Sequence, residues 1–233
     1  MPRRAKSEGI VTDLPGVAAV SRALSILCAF HQNDQKLGLS EIARRVGMYK
    51  STIIRLTESL EAYGMLVRDH DGHYRLGIEL IRLGAIARNA ISRYPEIDAT
   101  LQQLMEMTGE SATYYVRRDQ LRLALHRVDS PRMIRDHIKV GDLLPLDRGA
   151  AGRVLLANDA SASSPEAFRI IVSLGERDPE VAAIAGPVYA RDRVAAALSV
   201  SGPIGRFTKA NVKKISKLIE EKCRHLSSLL ALD

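Results

Sequence analysis

Two stretches of this 233-residue sequence bring chemically able side chains together at meaningful spacing. In the first, Lys50, Ser51, Thr52, Ile54 and Arg55 crowd one short segment, with Tyr49 just before it and Arg44 a turn upstream. Cations and hydroxyls at this density suit a polyanion, since Lys and Arg meet phosphates and an Arg fork matches the exposed edge of guanine. Arg22, His70 and His73 are further candidates for the same surface. In the second stretch, Asp147-Arg148-Gly149-Ala150-Ala151-Gly152 puts small residues where a loop enters a helix. The free backbone N–H groups of a helix start take an anion such as a carboxylate, and tiny side chains leave them accessible. Downstream, Ser199 and Ser201 are two apart on the run Ala197-Leu198-Ser199-Val200-Ser201. On a strand they share a face, where two hydroxyls would fix a polar ligand's orientation. Each pattern has a plainer reading: a basic segment is usually a solvated face, and Gly/Ala runs and serines usually serve packing.

Other chemistry finds little support. His70 and His73 are three apart on a hairpin, and His126 and His137 fall on separate expected strands, so neither pair has metal-ligand spacing. Ser199-Val200-Ser201-Gly202 runs into Pro203 rather than a helix, which excludes a nucleophile elbow, and phosphate and dinucleotide loops are absent from the sequence. No enzyme and no cofactor or metal is expected. Cys28 and Cys223 lie far apart on apolar helical patterns and read as packed thiols.

The first set of residues needs a helix to present it. Leu39, Ile42, Ala43 and Val46 form one apolar face of a short helix, with Ser40 as the expected N-cap and Gly47 as its stop. A second helix runs from Lys50 to Gly64 with Ile53, Leu56, Leu60 and Tyr63 inward. Two helices sharing a core across a tight turn make a helix-turn-helix, whose second helix offers its N-terminal end to the major groove. The following MLVRDHDGHYRL turns at Asp69-His70-Asp71-Gly72, the signature of a hairpin wing. Before this unit, residues 1–16 lack periodicity and read as an arm, and Val17–His31 is a helix with two apolar stripes. After it, residues 77–94 read as a linker helix with Ile78, Ile81, Ile86 and Ile91 around it and small residues between. Apolar residues on every side require a cover wider than one face, which points to a partner subunit.

Charge distribution agrees with an anionic partner. Residues 1–94 hold 14 Lys/Arg against 9 Asp/Glu, and residues 95–233 hold 20 against 18, so most of the +7 net charge lies in the first part. No apolar run approaches the roughly 20 residues of a membrane span, and a cytoplasmic protein is expected.

The second set sits in a longer region. After Pro95, an amphipathic helix (residues 96–107) leads to expected strands at 111–117, 121–128 and 133–140, and then to a helix at 153–157. Strands at 182–189 and 194–200 flank Arg191-Asp192-Arg193, and a long helix from Thr208 to Leu230 closes the chain. This order describes an α+β domain with an antiparallel sheet.

AVSRALSILCAF, LSEIARRVGMYKSTIIRLTESLEAYGML, LLPLDRGAAGRVLLA and AAIAGPVYARDRVAAALSVSGPIGRF together resemble, in order, the IclR-type transcriptional regulators. The resemblance implies an α+β fold with an N-terminal winged helix-turn-helix (17–76), a linker helix (77–94) and a C-terminal GAF-like α/β effector-binding domain (95–233). It implies double-stranded operator DNA and a small-molecule effector as partners, with assembly as a homo-dimer or tetramer. It also implies effector contacts at Gly149, Ala150, Ala151, Gly152, Ala183, Ser199 and Ser201, although the methyl of Ala183 offers no hydrogen bond. One departure stands out: between Leu156 and Glu176 the family carries a longer segment, with more helix and a strand. The rival readings are an architectural DNA binder without sensing, and an enzyme carrying a helical module.

Overall fold

The computed structural model describes residues 16–31, 33–90, 94–157, 169–191 and 193–230. The expected N-terminal arm, Ile91 and the low-complexity run near residue 160 lie outside them. Contacts divide the chain into two compact units, 1–91 and 92–233.

In the first unit, α1 (Ala18–Cys28), α2 (Leu39–Val46) and α3 (Lys50–Ala62) pack around Ile26, Ile42, Val46, Ile53 and Leu60. The turn between α2 and α3 is made at Gly47, whose φ of 68° lies in the left-handed region that a side chain resists. A two-stranded wing follows, β1 (Leu66–Arg68) antiparallel to β2 (Tyr74–Leu76). Tyr74 reaches back into the helical core, its hydroxyl 3.4 Å from that of buried Thr57, and its backbone bridges Leu37. Arg45 ties the unit together: its guanidinium donates to Asp34, to Glu41 and, at 2.8 Å, to the Ala29 carbonyl closing α1.

Three expectations fail here. Gly38, not Ser40, caps α2, and it does so without a side-chain bond. Tyr63 is exposed rather than inward, because α3 ends at Ala62 and Thr57 takes the buried position. Cys28 is exposed at the end of α1. The linker helix α4 spans Ile78–Ala90, and Tyr94 belongs to the next helix, with Pro95 inside its first turn, where a missing N–H costs nothing. Ile78, Ile81 and Ile86 on α4, like Val17, Val20 and Leu24 around α1, are exposed.

The second unit is a six-stranded antiparallel sheet in the order β5-β4-β3-β8-β7-β6. Its strands are β3 (Ser111–Arg118), β4 (Leu121–Val128), β5 (Leu143–Pro145), β6 (Ile171–Leu174), β7 (Val181–Ala190) and β8 (Arg193–Pro203). On one face, α5 (Tyr94–Thr108) and α7 (Lys209–Leu230) bury Leu101, Leu104, Ile215, Ile219 and Leu226 against Tyr114, Ile184, Leu198 and Val200. Cys223 sits in that core, where burial pushes its thiol pKa up. On the other face lies α6 (Ala150–Leu156), with Val154 and Leu155 against Tyr115, Ala185 and Ala197.

Two differences bear on the site. Residues 133–140 form no strand; they cross the α6 face as a loop that buries Asp136 and Ile138, and β5 supplies the edge instead. The strand ahead of the Gly175-Glu176 element is present as β6, paired with β7. Helix α6 also starts at Ala150 rather than Arg153.

Candidate functional site

On the first unit, α3 begins directly after Gly47-Met48-Tyr49, so its first turn projects where no neighbouring element covers it. Tyr49 is 86% exposed, and Lys50, Ser51, Ile54 and Arg55 are also exposed, while Thr52 is half-buried. Arg44, exposed at the end of α2, donates to Glu41 at 2.6 Å and is held ready on that surface. Arg22 is exposed on α1 and His70 on the wing turn. His73 is drawn inward, half-buried beside Gly38, with its ring 3.2 Å from Asp71. The surface is set by salt bridges behind it. Arg45 beside Asp34 holds that carboxyl down at about 2, Arg44 and Arg45 do the same for Glu41, and Lys36 does so for Asp71 across to the wing.

On the second unit, the strand register builds a polar floor. Ser201 pairs with Ala183 and Ser111, and Ala183 with Ser173, so one row of small and hydroxyl residues crosses four strands. The next row runs Arg127, Thr113, Ser199, Ala185. Over these rows sits the start of α6, leaving a small cavity of about 30 Å³ lined by Tyr115, Arg122, Gly149, Ala151, Ser199 and Ser201, among others. Gly149, Ala150, Ala151, Ala183, Ser199 and Ser201 are thus gathered around one space, together with Ser173 and Arg177.

Gly152 is not. A Cβ there would meet the Leu146 carbonyl at 2.3 Å and Arg122 at 2.6 Å, so its lack of a side chain serves close packing of α6 on the 145–148 loop. The Gly149 N–H is already engaged, donating to Glu176 Oε2 at 3.3 Å, while Glu176 also pairs with Arg153 at 2.7 Å. Ser201 is committed as well: its hydroxyl donates to Asp136 Oδ2 at 2.8 Å, which leaves only its lone pairs for a ligand. Asp136 in turn pairs with Arg127 at 2.5 Å, with side chains 0% and 3% exposed, and Arg127 donates to Thr113. Burial penalises the Arg127 charge, but Asp136 and Asp129 more than restore it, and its pKa is raised.

Sequence reasoning missed Arg122, Arg127, Asp136, Ser173 and Tyr115. Arg122 left a trace: it alternates with Ala124 between Leu121, Leu123 and Leu125, as an inward strand position would. Arg127 left none, because a bulge at Tyr114/Tyr115 shifts the register and brings it onto the inner face out of turn. Among the described residues no cluster of His, Cys, Asp or Glu has metal-ligand geometry, and no helix is long and apolar enough to cross a membrane.

The model of the IclR helix-turn-helix domain matches residues 19–70. That of the bacterial transcriptional regulator IclR C-terminal domain matches residues 94–171 and 169–228. The chain belongs to the IclR family. It is a DNA-binding transcriptional regulator with a C-terminal effector domain, and its C-terminal match comes as two ranges that meet at residues 169–171. The regulator KdgR of Escherichia coli is 25% identical over 91% of this chain and 92% of its own length. The glycerol operon regulatory protein of Streptomyces coelicolor is 27% identical over 83% of this chain and 87% of its own. Among solved structures, an IclR transcriptional regulator from Alicyclobacillus acidocaldarius superposes with a TM-score of 0.80 at 25% identity, covering 92% of this chain and 99% of that one. An IclR homologue from Microbacterium hydrocarbonoxydans, crystallised with 4-hydroxybenzoate, shares the fold with a TM-score of 0.73 at 19% identity, over 92% and 100% of the two chains.

Proposed function

We propose that the cavity between α6 and the sheet is the effector seat of this regulator, and that a small carboxylated metabolite bound there changes the operator affinity of a homo-oligomer. The observation that carries this reading is the convergence of Ala150, Ala151, Ser199 and Ser201, distant in sequence, on one enclosed space with a polar floor. Enclosed pockets with a few convergent polar groups are where small ligands bind. On the DNA side, Tyr49, Lys50, Ser51, Thr52, Ile54 and Arg55 contact the major groove, with Arg22, Arg44, His70 and His73 toward phosphates. Exposure and basic character of that surface support the assignment.

Oligomerisation rests on the exposed isoleucines of α4 and the exposed valines of α1, an apolar surface of the kind that marks an interface. One recognition helix reads too few base pairs for specificity in a genome, and two-fold related half-sites supply the rest. Ile81→Glu should dissociate the assembly and lose operator binding although α3 is untouched; wild type sedimenting as a monomer at micromolar concentration would argue against this.

The effector reading is tested with Ala151→Leu, which fills the cavity without deleting a donor. DNA affinity measured with and without metabolite should lose its metabolite dependence, while ligand-free affinity stays at the wild-type value. An unchanged response in a folded Ala151→Leu variant puts the effector elsewhere. A wild type insensitive to every metabolite favours the architectural reading.

A further inference from the structure

The Arg122 side chain is the anomaly of the cavity. It is 3% exposed, and its Nε is buried without a hydrogen-bond partner. The remaining donors do not meet a carboxylate: Nη1 donates to the carbonyls of Pro145 and, at 2.8 Å, Arg148. The guanidinium lies 5.5 Å from the Tyr115 ring, on the cavity wall beside the start of α6. The neighbouring charges do not neutralise it. Arg177, also on the cavity wall, adds to the positive field, while Tyr115 and the exposed Asp147, whose carboxylate faces Arg148, offset burial only in part. Burial lowers the Arg122 pKa, yet a guanidinium keeps its proton in proteins. A buried charge is ordinarily paired, and Arg127 on the same strand, with Asp136 against it, shows how this sheet does so.

We propose that Arg122 is the anion anchor of the cavity and that its counter-ion is the carboxylate of the effector. This rests on the effector reading above and sharpens it: the acid is held by a side chain rather than chiefly by the α6 amides, the first of which Glu176 already occupies. The cavity of about 30 Å³ has room for about two waters, so an acid entering it must open the space between α6 and the sheet. Ser201 also lines the cavity; its proton is given to Asp136, so toward a ligand it can only accept.

The test is calorimetric titration of the full-length protein with short acids paired with their uncharged amides: lactate with lactamide, pyruvate with pyruvamide, propionate with propionamide. Inorganic phosphate forms a separate arm. At least one acid should bind wild type and its amide should not. Arg122→Gln should weaken that acid about ten- to a hundredfold, the loss expected of a charge-assisted hydrogen bond. Arg122→Lys keeps a charge without the fork and should fall between; it also serves if circular dichroism shows Arg122→Gln unfolded. Binding that survives Arg122→Gln but is abolished by Ala151→Leu keeps the cavity as the seat and overturns the anchor. Binding indifferent to both changes overturns the cavity reading itself. Equal affinity for acid and amide, Arg122-dependent binding of phosphate alone, or no binding of any acid each overturn a carboxylate anchored here.

Discussion

The two units of this regulator use charge in opposite ways. On the first, the cations expected to meet DNA stand in solvent at the start of α3, and the pairs that stabilise the unit, such as Arg45 with Asp34 and Glu41, lie partly exposed behind them. On the second, the charges are taken out of water: Arg127 and Asp136 are buried beside the cavity on the same face of the sheet, and Arg122 on its wall. An exposed cation is available to a large anionic polymer and costs little to keep. A buried ion pair costs desolvation, and what it provides is a rigid, directional lining. The difference suits a surface proposed to meet DNA and a cavity proposed to hold a small molecule.

The sharpest way to break this contrast is to remove the buried acid. Asp136→Ala leaves the Arg127 guanidinium buried without its partner and takes the acceptor from Ser201. The expected cost is about 3–5 kcal/mol of stability in the C-terminal unit. Urea denaturation should show it as a lower midpoint. A loss as small as that of an exposed pair would mean that water reaches Arg127.

A smaller effect is expected on the DNA surface, where solvent replaces what is lost. Arg55→Ala should cost about 1–3 kcal/mol of operator affinity and relax specificity at one position per half-site, if the guanidinium forks onto a guanine. Lys50→Ala should weaken all sequences alike and reduce the salt slope. Electrophoretic titration against operator and random duplex at several salt concentrations separates the two. An Arg55→Ala variant indistinguishable from wild type on both duplexes would take this residue out of the interface.

The same contrast explains what the sequence made visible. Helices α2 and α3, their turn at Gly47 and the wing are each written within a dozen residues, as apolar periodicity closed by a glycine. Exposure of Lys50 and Arg55 follows from the face left over. The cavity is written across five strands, the start of α6 and the loops between them. Ser199 and Ser201 were legible because two hydroxyls alternate on one strand, and Ala150 and Ala151 because they open a helix. Asp136 was hidden in a stretch whose β-prone residues suggested a strand; its burial is decided by Arg127, which reaches the inner face only because of the bulge opposite Tyr114 and Tyr115. Gly152 misled in the other direction, since smallness demanded by the Leu146 carbonyl looks in sequence the same as smallness left for a ligand. Cys28 misled likewise, because α1 carries more apolar positions than its own unit covers.

The smallest effect concerns the partly exposed pairs themselves. Hydrogen bonds from Arg45 hold the Asp34 carboxyl at about 2 instead of 3.8, and Glu41 is held at about 2 instead of 4.5, first by Arg44 and then by Arg45. Both carboxyls bind protons less readily in the folded unit than in the unfolded chain. Their contribution to stability is therefore present above the ordinary carboxylate range and lost as pH falls toward about 2. Solvent screens these groups, so the slope should be shallow. Arg45→Gln discriminates between the two acids. Asp34 loses its principal donor and should return to the ordinary range, whereas Glu41, still held by Arg44, should remain depressed. Carbon-detected NMR titration of the two side-chain carboxyls reads this directly. If both return together, Arg45 rather than Arg44 holds Glu41; if neither moves, the bridge from α2 to the end of α1 does not persist in solution.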